Sequence, residues 1–110
     1  MGYETEIKAE LEKAEQARAR GNEGQARVCA RRAAGLAIRE YLTRKGINST
    51  GRSSIGLLDS FQHDPLLPPN LKLIAHHLTL RVTEEHKLPV DADLIAESRV
   101  FCDELLKENS

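Results

Sequence analysis

Two residues of this chain carry chemistry that needs little else around them. Arg81 and His86 stand in Leu80-Arg81-Val82-Thr83-Glu84-Glu85-His86. An imidazole that titrates at about 6.5 can move protons at a ribose 2′-hydroxyl or at a leaving oxygen, and a guanidinium can hold a pentavalent phosphate. Together they suffice for RNA cleavage without a metal, leaving a 2′,3′-cyclic phosphate. The competing reading of Arg81 alone is a structural arginine paired with a carboxylate at the edge of the core. On a helical wheel Arg81 falls between Ile74 and His77, in an apolar sector. The solvated sector around Lys72, His76 and Thr79 is narrow, so Arg81 is expected to reach a crevice or an interface. His86 would point about 140° away on a continuous helix, so the two share a site only if the helix unwinds before Lys87-Leu88-Pro89.

Other chemistries find less support. His63, His76, His77 and His86 do not combine with cysteines or carboxylates at a metal-motif spacing, and adjacent His76 and His77 on a helix diverge by about 100°. No metal and no cofactor are expected. There is no glycine-rich phosphate loop and no Gly-x-Ser-x-Gly elbow. Cys29 and Cys102 lie in helical patterns among small or apolar neighbours, which reads as buried free thiols in a reducing, cytoplasmic setting.

The net charge of −1 argues against nucleic-acid binding by bulk electrostatics. Its distribution says otherwise. Residues 1–17 carry −3, residues 18–52 carry +7 and residues 53–110 carry −5. The basic stretch holds Arg18, Arg20, Arg27, Arg31, Arg32, Arg39, Arg44, Lys45 and Arg52, and can form a phosphate-binding face. Arg32, Arg39 and Arg52, with His77, are the candidate RNA or nucleotide contacts. Arg52 precedes a helix N-terminus, a natural anion site, and is expected to approach the crevice of Arg81. The reading to beat is internal pairing: in a hairpin of the first two helices, Glu4 to Glu15 lie beside Arg31 to Lys45.

The elements that would position these groups are helical. A chain of 110 residues, 40% apolar and 30% charged, suits one domain spanning 1–110. The first helix runs from Tyr3 to about Arg20 with a narrow stripe of Tyr3, Ile7, Leu11 and Ala14, and should be peripheral. Gly21-Asn22 breaks it. A second, central helix runs from about Glu23 to Lys45, with Ala26, Ala30, Ala33, Ala34 and Ala37 on a small-residue face and Gly46 as its stop. Ser53 or Ser54 caps a short third helix carrying Ile55, Leu57, Leu58 and Phe61. The fourth is expected from about Leu71 to Val82. The fifth should begin at Asp91 as N-cap, with Val90 and Ile95 spaced as a hydrophobic staple. No segment alternates with period two, so the class is all-α, an up-and-down bundle of about five helices. No apolar run is long enough to span a bilayer, the acidic start is unlike a secretory signal, and Glu6 stands where a myristoylation motif wants a hydroxyl. No membrane association is expected.

Taken in order, several of these features resemble the HEPN domain family (higher eukaryotes and prokaryotes nucleotide-binding), a small all-α bundle. They are the long helix Ala26 to Leu42, Lys45-Gly46-Ile47 after it, the short helix Ile55 to Phe61, and the Arg-x4-His run ahead of the last helix. The resemblance covers nearly the whole chain. It implies a metal-independent endoribonuclease of the kind found in toxin–antitoxin pairs, with Arg81 and His86 as the catalytic pair in a site commonly assembled by a homodimer. Val82 departs from the family pattern, which usually has a polar residue directly after the arginine. Leu88 stands where some toxin–antitoxin members carry a tyrosine. Other members are inactive partners or substrate-binding subunits of small nucleotidyltransferases, a second reading. The third is a helical dimerisation or adaptor domain without a ligand.

Overall fold

A computed structural model describes residues 2–80, 88, 90 and 92–107. Five helices account for most of them: α1 (Tyr3–Ala19), α2 (Glu23–Arg44), α3 (Ser54–Phe61), α4 (Pro69–Thr79) and α5 (Leu94–Leu105). Among the described residues there is no strand, and no described helix is long and apolar enough to cross a membrane. The expected all-α bundle is what forms.

The first two helices are separated by a backbone that can turn sharply. Gly21 takes a φ of 80°, where a side chain would be strained. Its N–H bonds Arg18 O and that of Asn22 bonds Ala17 O, closing the carbonyls of α1 in a Schellman arrangement. Asn22 then starts α2, its side chain accepting from Gln25 N at 3.1 Å. The same closure recurs at Gly46, whose neighbour Ile47 donates to Leu42 O. The hairpin is antiparallel, since Arg44 near the end of α2 donates to the Tyr3 hydroxyl at the start of α1.

Helix α2 touches each of the other four. Its five alanines at 26, 30, 33, 34 and 37 are wholly buried, and small side chains let neighbouring axes come close. Gly35 carries this furthest. A Cβ there would lie 2.7 Å from Ser54 Cβ and 3.2 Å from Ser54 Cα, so α3 starts directly against the α2 backbone. On the opposite flank α5 presents Ser98, whose buried Oγ donates to Ala30 O at 2.8 Å. One turn later Cys102 Sγ donates to Ala33 O at 3.5 Å. Tyr41 and Phe61 meet edge to face, with centroids 5.6 Å apart.

Three expectations need correction. Helix α4 ends at Thr79 rather than Val82, because Leu80 is extended (φ −67°, ψ 143°) and Thr79 Oγ1 donates back to His76 O, competing with the helical ladder. It also begins earlier, at Pro69, whose fixed φ suits the first helical position. The N-cap of α5 is Asp93, not Asp91, which lies outside the described residues; the Asp93 carboxylate accepts from Ile95 N and Ala96 N.

Gly35→Ala should lower stability by about 1–3 kcal/mol, the usual cost of overpacking, measured by urea denaturation. Relief of that loss by a second change, Ser54→Gly, would tie it to this contact. Cys29 and Cys102 are both free and buried, and burial pushes the Cys102 thiol up to about 12. Below the ordinary thiol value of about 8.5 this difference has no effect on stability; as pH rises toward 12 the unfolded thiolate is favoured and stability falls. Native protein at pH 8 should therefore resist iodoacetamide, and both thiols should react in urea, as mass spectrometry would show.

Candidate functional site

An open groove of about 1010 Å³ lies between α2, α3 and the end of α4. Arg27 and Arg31 of α2, Ile55 and Asp59 of α3, and Thr79 and Leu80 at the end of α4 border it, with Glu23 at the base of α2. Residues four apart share one face of a helix. The alanine face of α2 turns inward, so Arg27 and Arg31 project along the rim.

Arg31 is held in place by the early end of α4. The last carbonyls of a helix lack partners within it, and Arg31 Nε donates to Leu78 O at 2.7 Å, a cation on the negative end of the α4 dipole. Burial first, and then the charge of Arg27, hold the Arg31 guanidinium below its ordinary range. Arg27 makes no hydrogen bond or ion pair with a described residue. Glu23, the acid nearest to both, is already engaged. Arg18 grips its two oxygens at 3.1 and 2.7 Å and reaches Asp93 at 2.9 Å. These bonds lift Arg18 above its usual range and hold the Glu23 carboxyl below its own. Burial alone would raise Asp93, but Arg18 and the N–H groups of Ala96 and Ile95 prevail and lower it.

The residues singled out in the sequence are placed as follows. Arg39 donates to the Arg52 carbonyl, and Arg52 Nη2 donates to Ser60 Oγ at 2.6 Å, so this pair fastens the α2–α3 connection. Neither residue borders the groove. Arg32 is exposed on α2. His77 is half-buried between α4 and α5, its Nδ1 2.8 Å from Glu97 Oε1. Arg81 and His86 lie outside the described residues, as does any approach of Arg52 to Arg81.

The expected pairing of α1 glutamates with the basic stretch of α2 is not seen among the described residues. Among the described residues no α1 glutamate makes an ion pair with a residue of 31–45: Glu10 pairs with Lys13 and Glu15 with Arg99. Arg44 instead joins Glu40, Tyr3 and the Leu106 carbonyl, and Lys45 lies over the Tyr41 ring. What sequence reasoning passed over is the special standing of Arg27 and Arg31. The signal present was their one-turn spacing just inside the second helix. Comparison with protein-family models, with curated proteins and with solved structures returned no match for this chain.

Arg18→Gln should remove the grip on Glu23 and Asp93. Both carboxyls lie below their ordinary values in the fold, so they stabilise it above about pH 4 and lose that contribution as pH falls through the lowered values. At these part-exposed positions the expected loss at pH 7 is about 0.5–1 kcal/mol. Urea midpoints from pH 7 to 3 should show a lower plateau and a shallower acid decline in the variant.

Proposed function

We propose that this chain is a HEPN-like domain that binds the phosphates of RNA or nucleotides along the first half of α2 and cleaves RNA without a metal through Arg81 and His86. The observation that carries the binding is the uncancelled charge of α2. Arg27 and Arg32 make no hydrogen bond or ion pair with an acid among the described residues, Arg27 meeting Glu23 only through space, and Arg31 spends only its Nε, on a carbonyl. A basic face that neutralised the α1 glutamates would have offered nothing to a phosphate; this one keeps its charge available.

The cutting rests on the sequence. His86 would take the 2′-hydroxyl proton or return one to the leaving 5′-oxygen, and Arg81 would stabilise the phosphorane, giving a 2′,3′-cyclic phosphate and a 5′-hydroxyl. Arg81 directly follows Leu80 in the sequence, and Leu80 borders the groove. A homodimer completing the site and a cytoplasmic setting belong to the same reading. Val82, apolar where ribonucleases of the family are polar, favours a second one: a binding subunit acting with a small nucleotidyltransferase and cutting nothing itself.

Single-stranded and structured RNA incubated with the protein in EDTA, with end-group analysis of the products, separates the two. The first reading predicts cyclic-phosphate ends and a loss of at least about 100-fold in rate for Arg81→Ala and for His86→Ala. Cutting by both variants at the wild-type rate contradicts the assigned catalytic pair. RNA bound but left intact supports the binding subunit.

A further inference from the structure

We propose that the groove between α2, α3 and the end of α4 holds one nucleotide unit, its phosphate between Arg27 and Arg31 and its base against Ile55. The proposal rests on the reading above that this chain binds nucleotide phosphates, and it names where and how.

The nitrogen inventory of Arg31 comes first. A guanidinium has five N–H groups in a planar fork. Only Nε is used, on Leu78 O, and that bond fixes the plane of the group. Nη1 and Nη2 make no hydrogen bond to a described residue, so their outer edge is preset for an oxyanion that accepts two parallel bonds. Arg27 stands one turn earlier on the same face, also without a partner. Like charges at this spacing repel, and a phosphate anion placed between them, dianionic in a free nucleotide and monoanionic in a strand, would relieve the repulsion. Half-burial of Arg31 strengthens the attraction, because fewer waters compete.

The surroundings narrow the ligand further. Glu23 would oppose an anion if it were free, but both its oxygens are on Arg18. The N-terminus of α2 adds partial positive charge at the same end. Across the groove Ile55 is 45% exposed, an apolar surface large enough to cover part of a base. Beside it Asp59 gives one oxygen to Gln62, while its other oxygen makes no bond to a described residue and can accept from a base amino group. A ligand that joins a phosphate to an apolar, amino-bearing ring is a nucleotide. A volume of about 1010 Å³ lies at the top of the usual range of roughly 300–1,000 Å³ for small-ligand sites, so either a free mononucleotide or one unit of a single strand fits.

Binding by the full chain is measured by fluorescence anisotropy with a labelled eight-nucleotide 2′-O-methyl adenylate strand, which cannot be cut. Unlabelled AMP and inorganic phosphate serve as competitors. Arg27→Gln should weaken the strand about tenfold and flatten its log–log salt dependence by about 0.7, one phosphate contact on a single strand. Arg31→Lys keeps the charge but loses the fork, so affinity should fall while the salt slope stays. Ile55→Ser should weaken the strand and AMP and leave competition by inorganic phosphate unchanged, whereas Lys8→Gln on α1 should change nothing. Competition by AMP assigns a free-nucleotide site, and its absence assigns a strand site; both support the proposal. Arg27 makes no hydrogen bond or ion pair with a described residue, and an unchanged urea midpoint shows that Arg27→Gln is folded; wild-type affinity in that variant overturns the proposal, as does wild-type protein that binds none of the three probes. RNA cutting that survives in Arg27→Gln with unchanged binding overturns this site alone. Binding lost in Arg27→Gln without any RNA cutting by the wild type upholds the site and removes the cleavage reading.

Discussion

The close approach that α2 permits is the constraint on which the rest of the molecule depends. Five alanines and Gly35 strip much of its inner surface of bulk, and α3 and α5 then dock directly against its backbone. The start of α3 sits against Gly35. Helix α5 is tied by Ser98 and Cys102 to the carbonyls of Ala30 and Ala33. Such contacts are short-ranged and tolerate little added volume, because protein interiors are already close-packed. Most of the larger apolar side chains come from the surrounding helices, Leu57, Leu58, Leu78, Ile95 and Phe101 being fully buried, and α2 itself adds Ile38.

A helix with alanines inside must place its charge outside, and there the fold makes a choice with functional weight. Helix α1 lies beside α2 but spends its paired glutamates on Lys13 and on Arg99 of α5. Two basic residues of the middle stretch do pair with acids: Arg18 ties the start of α2 to the start of α5 through Glu23 and Asp93, and Arg44 pairs with Glu40 on its own helix. Arg39, Arg44 and Arg52 are absorbed by turns and helix ends. Arg31 does double duty: it closes the end of α4 at Leu78 O and presents the rest of its fork to the groove. Structure and proposed binding thus share one side chain.

Much of this was legible in the sequence. The alanine face of α2, the Gly21 and Gly46 stops and the Ser53 cap follow from local chemistry that does not need a partner. Helix ends set by tertiary contacts were not legible. Wheel periodicity continues past Thr79, and nothing local says that Leu80 becomes extended or that Arg31, 47 residues away, caps α4. Asp91 and Asp93 are equivalent as caps in isolation; Arg18, 75 residues earlier in the chain, sits on the second. Charge pairing misled for a related reason. Glutamates and arginines on adjacent helices looked matched by position, but pairing depends on which face each helix turns to the other. Arg27 and Arg31 were visible only as members of a basic run, since their setting comes from α3 and α4.

The central claim is that a nucleotide phosphate sits on α2 at Arg27 and Arg31. The most direct measurement is a titration of ¹⁵N-labelled protein with the eight-nucleotide 2′-O-methyl adenylate strand, followed by amide and arginine Nε–H resonances. The account predicts saturable shifts concentrated at the Arg27 and Arg31 Nε–H groups and the amides of Ile55 and Gly56. Saturable shifts confined to the α1–α5 side, with those groups unmoved, would contradict it.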